Sequence, residues 1–170
     1  KNINSKINLI MELAERRNLP IRIHPKGTLA RISKNARQDQ GVALDVRCPK
    51  YETATSYLSK AEKISNIVAI ENITNPKNVG IILRSAVAAG ISGLIYPRHN
   101  SPRLGPLVIQ ASAGAAFRAP IIWCDNLKDT LGEYASNGFQ IVGLDPSSKN
   151  SLFDMIPPKR AIYILGGESE

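Results

Sequence analysis

A chain of 170 residues, 43% of them hydrophobic, can bury the core of one mid-sized α/β domain with a small appendage. Its apolar runs fall well short of the roughly 18 to 20 residues of a membrane-spanning helix, and the opening KNINSKINLI has neither the apolar core nor the small-residue cleavage site of a secretory signal. The net charge of +8 is unevenly divided, with +7 in residues 1–65 and +1 in residues 66–170.

Such an asymmetry suits a front module that holds a polyanion, because Lys and Arg neutralising phosphates supply most non-specific nucleic-acid affinity. A solvated surface with an excess of Lys is the plainer alternative. The expected compartment is reducing, the cytoplasm or an organellar matrix. Cys48 and Cys124 are too few and too far apart for a metal pair, so buried free thiols are expected and no metal site is. The first residue is Lys and the last stretch reads GGESE, from which a longer natural protein is expected.

Along the front module, KINLIMELAERRN predicts an amphipathic helix with Ile7, Ile10, Met11 and Ala14 at helical spacing, stopping before Pro20. LPIRIHP and GVALDVRCP alternate like short strands, and GTLARISKNARQ reads as a basic helix or turn. KYETATSYLSKAEKIS is a polar connector with some helical tendency, which puts the domain boundary at residues 62–63. From there apolar strands alternate with helices, the mark of a mostly parallel sheet covered on both faces. NIVAIE, GLIYP, PIIWC, FQIVGLD and RAIYILG are the predicted strands. Residues 76–89, 104–112 and 126–137 are the predicted helices.

The stretch ENITNPKNVGIILRSAVAAG, residues 71–90, carries more polar residues than a plain helix needs. Asn75 and Pro76 form a good helix start and Gly90 a good end, while Val79, Ile82, Leu83, Ala86 and Val87 make the buried stripe. Lys77, Gly80 and Arg84 line up on another face, beside the free N–H groups of the helix start. That is a seat for a phosphate or for a close-approaching backbone, or else an ordinary capped helix whose cations face water. There is no G-x-G-x-x-G after NIVAIE and no G-x-x-x-x-G-K-[ST] anywhere, which disfavours a nicotinamide-dependent oxidoreductase and a Walker-type phosphate loop.

Through Asn75, Pro76, Asn78, Gly80, Arg84 and Ala86, this stretch resembles the first motif of the SpoU, or TrmH-like, branch of the SPOUT RNA methyltransferases. ASAGAAFRAPI, with Ser112 and Gly114, is similar to that family's following Ser-x-Gly-Ala stretch, and YILGGESE to the start of its second motif. LPIRIHPKGTLARIS and QGVAL more weakly resemble the L30e-like RNA-binding domain joined to many members. The resemblance implies an α/β-knot fold, a homodimer with active sites at the shared interface, and S-adenosylmethionine-dependent transfer of a methyl group to a ribose 2′-hydroxyl. An L30e-like front module points to ribosomal RNA. A catalytically silent RNA-binding or ribosome-assembly protein of the same fold is the alternative.

Two departures from the family bear on the site. Gly167 stands where many members have Asn, and the third motif, a Ser-Leu-Asn stretch that in the family threads a knot and completes the cofactor pocket, does not occur. The chain as given is therefore expected not to close a normal cofactor site. Carried over by motif, Arg84 is the expected catalytic residue, a guanidinium that grips RNA phosphate and steadies a developing alkoxide rather than a base. Asn78 would orient it or bridge to a second subunit. Gly143, Leu144 and Asp145 close one strand, and Gly166, Gly167 and Glu168 the next, at the edge where open α/β sheets bind ligands; they are the expected walls for S-adenosylmethionine, although turn chemistry alone also explains Asp145-Pro146. Arg22, Lys26, Arg31, Lys34, Arg37, Gln40 and Lys77 are the expected RNA contacts. His24 and His99 lack companions for catalysis or metal binding, and Trp123 and Tyr163 are read as core.

Overall fold

The computed structural model describes residues 5–33, 40–46 and 51–167, in two units, Lys1–Arg47 and Cys48–Glu170. The first unit contains α1 (Ser5–Arg16) and α2 (Lys26–Ser33). Ile7, Met11 and Ala14 are half-buried along one side of α1, as their spacing requires, while Ile10 is exposed. No strand forms among the described residues of this unit. Residues 19–25 and 42–46 alternate in sequence yet are irregular, with Ile23 and Leu44 86% and 71% exposed. Alternation makes a strand only where a partner strand takes its N–H and C=O groups and a core takes one face, and neither is seen here. The α/β arrangement of an L30e-like module is accordingly not seen in these residues.

The second unit is a parallel sheet of six strands, β1 (Glu52–Thr53), β2 (Ser65–Glu71), β3 (Gly93–Pro97), β4 (Ile121–Cys124), β5 (Gln140–Gly143) and β6 (Arg160–Gly166), in the order β1-β4-β3-β2-β6-β5. The five predicted strands are all present. The domain boundary needs correction: residues 51–62, read as connector, belong to the sheet unit. Glu52 and Thr53 pair with Ile122 and Trp123 of β4. Thr53 caps α3 (Ala54–Leu58) by accepting from the Ser56 N–H, and the Tyr57 hydroxyl donates to the Ser92 carbonyl at 2.9 Å. Glu52 also pairs with Lys60.

Strands β2, β3, β4 and β6 divide their side chains between two cores, one per face of the sheet. Ile70, Leu94, Tyr96 and Ile121 pack under α4 (Pro76–Ala88), α5 (Pro106–Ala111) and the 3₁₀ turn Ala115–Phe117. Ile67, Ala69, Ile95, Ile122 and Ile162 pack under α3 and α6 (Leu127–Ser136). Burial on both faces explains why the strands are nearly continuous apolar runs. In α4 the Asn75 side chain accepts from the Lys77 N–H at 2.9 Å and Pro76 takes the first position. Gly90, at φ 69°, ends it while the Ile91 N–H donates back to the Ala86 carbonyl. Val79, Leu83 and Ala86 are buried as expected.

Burial also sets the protonation of three core groups. The hydroxyls of Tyr96 and Tyr134 are pushed well above the ordinary tyrosine range by desolvation. Desolvation raises the Cys124 thiol as well, against a hydrogen bond with Thr130 that lowers it. The folded state keeps these protons where the unfolded chain has lost them, so stability must fall as pH rises. Denaturation midpoints are expected to be level up to about pH 8 and to decline from about pH 8.5, through the unfolded thiol and then the unfolded tyrosines near about pH 10; a midpoint unchanged to about pH 10.5 would contradict this burial.

Candidate functional site

All six strands run the same way, so their carboxyl ends share one edge, and strand order reverses across the β2–β6 pair. At that edge the ends of β5, β6 and β2 are neighbours. Gly143 closes β5, and the next N–H, of Leu144, donates to the Ile164 carbonyl of β6 at 3.3 Å. Leu144 is 38% exposed. Asp145 lies at the surface, where the Ser147 N–H and hydroxyl donate to its Oδ1 at 2.7 and 2.6 Å. These bonds, the hydroxyl's first, hold the carboxyl below its ordinary value.

Gly166 ends β6, and a side chain there or at Gly143 would meet open space. Gly167 is different. Its N–H donates to the Glu71 carbonyl at 2.8 Å, and a Cβ on it would press into the Asn72 carbonyl, only 3.1 Å from the carbonyl carbon. Asn72 itself takes φ 52°, the left-handed region that Asn tolerates better than most residues. In this loop the position has no room for a side chain, so Asn could stand there only if the Asn72 backbone moved. Glu168 lies outside the described residues.

Asn75, Lys77 and Asn78 open α4 at this same edge, with Lys77 and Asn78 exposed. Gly80 does not form a phosphate seat, because it is buried against α5, where a Cβ would lie 2.9 Å from both the Ser112 nitrogen and the Val108 carbonyl oxygen. It is the close-approach residue of a helix pair. Arg84 is eight residues beyond Pro76, about 12 Å further along the axis at 1.5 Å per residue. It is exposed and enters no ion pair among the described residues. The structure therefore brings together the β5, β6 and β2 loops and the start of α4, with the backbone of Arg84 set back along the helix. Ser112 is committed to the fold, donating to the Ile109 carbonyl and accepting from the Ala116 N–H, and Gly114 at φ 82° supplies the turn that follows.

In the first unit Arg22, Lys26, Arg31 and Gln40 are exposed. Lys26 and Arg31 are five residues apart on α2, about 140° around its axis, and so do not share a face. Lys34 and Arg37 lie outside the described residues, and Lys77 belongs to the second unit. Trp123 and Tyr163, read as core, are half-buried; Trp123 stands at the open end of β4 beside Arg98 and Arg103, which the sequence reading did not single out.

The SpoU rRNA Methylase family matches residues 65–170, the segment that holds this edge. A tRNA/rRNA methyltransferase of Mycobacterium sp. (strain KMS), itself uncharacterised, is 30% identical over 170 residues, covering 98% of this chain and 54% of its own. The chain thus spans about half the length of that relative. The SpoU methyltransferase AviRb of Streptomyces viridochromogenes, solved with AdoMet, shares the fold with a TM-score of 0.54 at 24% identity, over 64% of this chain and 45% of that one. An RNA 2′-O ribose methyltransferase does so with a TM-score of 0.61 at 19% identity, over 84% and 54%.

Replacing Gly167 tests the packing of the edge. Gly167→Ala is expected to part the ends of β2 and β6 and to cost about 1–3 kcal/mol, read as a thermal midpoint several degrees lower. Gly143→Ala, with open space around it, should leave the midpoint close to wild type.

Proposed function

Since the chain belongs to the SpoU rRNA methylase family, we propose that it transfers a methyl group from S-adenosylmethionine to a ribose 2′-hydroxyl of structured RNA, with ribosomal RNA the expected substrate. The observation that carries this reading is the single edge on which the β5, β6 and β2 loops and the polar start of α4 meet, inside the segment the family matches. AviRb, a protein of this fold, binds AdoMet.

The residues of this edge supply one side of a site for such a cofactor, which the third-motif segment is expected to complete. Gly143 and Gly166 leave backbone groups reachable, Leu144 offers an apolar wall, and the Asp145 carboxylate is kept ionised and oriented by Ser147. When bound, S-adenosylmethionine supplies an electrophilic methyl group on a sulfonium. The chain's own part is positioning and charge: Lys77 and the capped start of α4 attract the phosphate backbone, and Asn78 orients Arg84 or bridges to a second subunit. A guanidinium has five donors and no acceptor, so Arg84 holds RNA phosphate and steadies the alkoxide as the hydroxyl loses its proton.

Arg84 stands about two turns below the edge of its own chain, which favours a homodimer in which each subunit offers Arg84 to the other's edge. Ile81, 58% exposed, lies between Asn78 and Arg84 at spacings of three on the outward side of α4, the kind of apolar centre an interface uses.

Arg84→Ala is expected to abolish methyl transfer to ribosomal RNA while keeping the melting temperature and the calorimetric affinity for S-adenosylmethionine near wild type. Wild-type turnover in the variant would remove Arg84 from the mechanism. Failure of the full-length natural protein to bind S-adenosylmethionine would favour the silent RNA-binding protein instead.

A further inference from the structure

Beyond the β2–β6 pair, the carboxyl ends of β3 and β4 carry a second concavity. The loop after β3 folds past Trp123 and leaves a cleft of about 360 Å³. Its lining combines apolar Tyr96, Pro97, Pro102 and Trp123 with Arg98, Ser101 and Arg103. None of these side chains takes part in the transfer described above.

The cleft is built on fixed parts. Trp123 meets Tyr96 and Tyr51 edge to face, with ring centroids 5.1 and 5.5 Å apart. The Tyr96 hydroxyl donates to the Pro102 carbonyl and pins the loop, and the Arg98 N–H donates to the Cys124 carbonyl at 2.9 Å. Its polar groups are less settled. The Ser101 hydroxyl is buried with no hydrogen-bond partner. Arg98 reaches the Asp125 carboxylate at 3.4 Å, both side chains largely exposed, whereas Arg103 has no ion-pair partner among the described residues.

An indole and two prolines between guanidiniums are what a single-stranded nucleotide needs: an apolar surface for its base and planar cations for its phosphate. The volume is near the lower end of ligand sites, roughly 300–1,000 Å³, which suits one nucleotide rather than a large cofactor. Position agrees. At about 4.8 Å per strand the cleft is two to three strands, about 10–15 Å, from β6 along the same edge.

We propose that this cleft takes a nucleotide of the substrate RNA that flanks the methylated one, its base against Trp123 and the adjoining prolines and its phosphate between Arg98 and Arg103. The inference rests on the RNA-methylating reading and says where that RNA continues along the edge.

Trp123 is the one tryptophan of the 170 residues, so its emission reports the cleft directly. The test titrates the protein with a short mixed-sequence single-stranded RNA, following tryptophan emission and, with labelled RNA, anisotropy at several salt concentrations. Quenching is expected on binding. Arg103→Ala should weaken the RNA roughly tenfold and lower the slope of log affinity against log salt by about 0.7, and Arg103→Lys should restore the slope. RNA that binds without quenching, or an unchanged affinity and slope in Arg103→Ala, overturns the proposal. So does a polyglutamate that displaces the RNA from the cleft at equal charge and quenches Trp123 equally. Arg103 is exposed, and should its variants nevertheless fail to fold, the quenching of the wild-type protein decides. Calorimetry with S-adenosylmethionine separates the two readings: if the cofactor binds and the RNA results fail, only the cleft falls, whereas quenching and slope still judge the cleft if the cofactor does not bind.

Discussion

The sheet depends on the pairing of β2 with β6, two strands that lie far apart in the chain and yet match residue for residue from Ser65–Arg160 to Glu71–Gly166. Because the side-chain period of a strand is two, a slip of one residue would send Ile67 and Ala69 into the wrong core. The pairing ends with the Gly167 N–H on the Glu71 carbonyl, and Gly167 can come that close only because it has no Cβ to strike Asn72. Parallel direction then brings the other strand ends to the same edge, so residues with no local sequence relation become neighbours.

Those features that follow from local chemistry were legible in the sequence. Apolar runs such as NIVAIE and RAIYILG are bounded by turn residues and find cores on both faces, and the Asn75–Pro76 start of α4 needed no tertiary knowledge. β1 could not be read, since Glu52–Thr53 is two polar residues whose strand character comes from β4. The Tyr134 hydroxyl holding the Ala54 carbonyl, across 80 residues of chain, is part of the same long-range fixing. The front unit failed in the opposite direction, because its alternation is real but Ile23 and Leu44 are exposed and meet no core face among the described residues.

For the site, the motif located Gly166 and Gly167 but not the reason for the second glycine, which lies in the backbone of another strand end. Trp123 looked like core because it sits in IIWC. What could have singled it out is its place near the end of a strand, one register from Cys124, opposite a loop, PRHNSPRLGP, in which arginines and prolines recur. A large aromatic at the carboxyl end of a parallel strand faces the edge as much as the core.

The placement of Arg84 follows from packing that the site does not control. Gly80 lets α4 approach α5 so closely that the helix cannot slide or roll without Ser112 and Val108 moving too, and Val79, Leu83 and Ala86 commit the inner side to the sheet. Asn78, Ile81 and Arg84 are therefore presented outward at depths set by the helix rise. On the proposed chemistry the guanidinium must meet an RNA sugar beside a cofactor held at the edge, and the backbone of Arg84 is set about two turns back from that edge. A second copy docking through the Ile81 face would supply a guanidinium without disturbing either core. The dimer in the proposed mechanism is thus a consequence of how tightly α4 is seated.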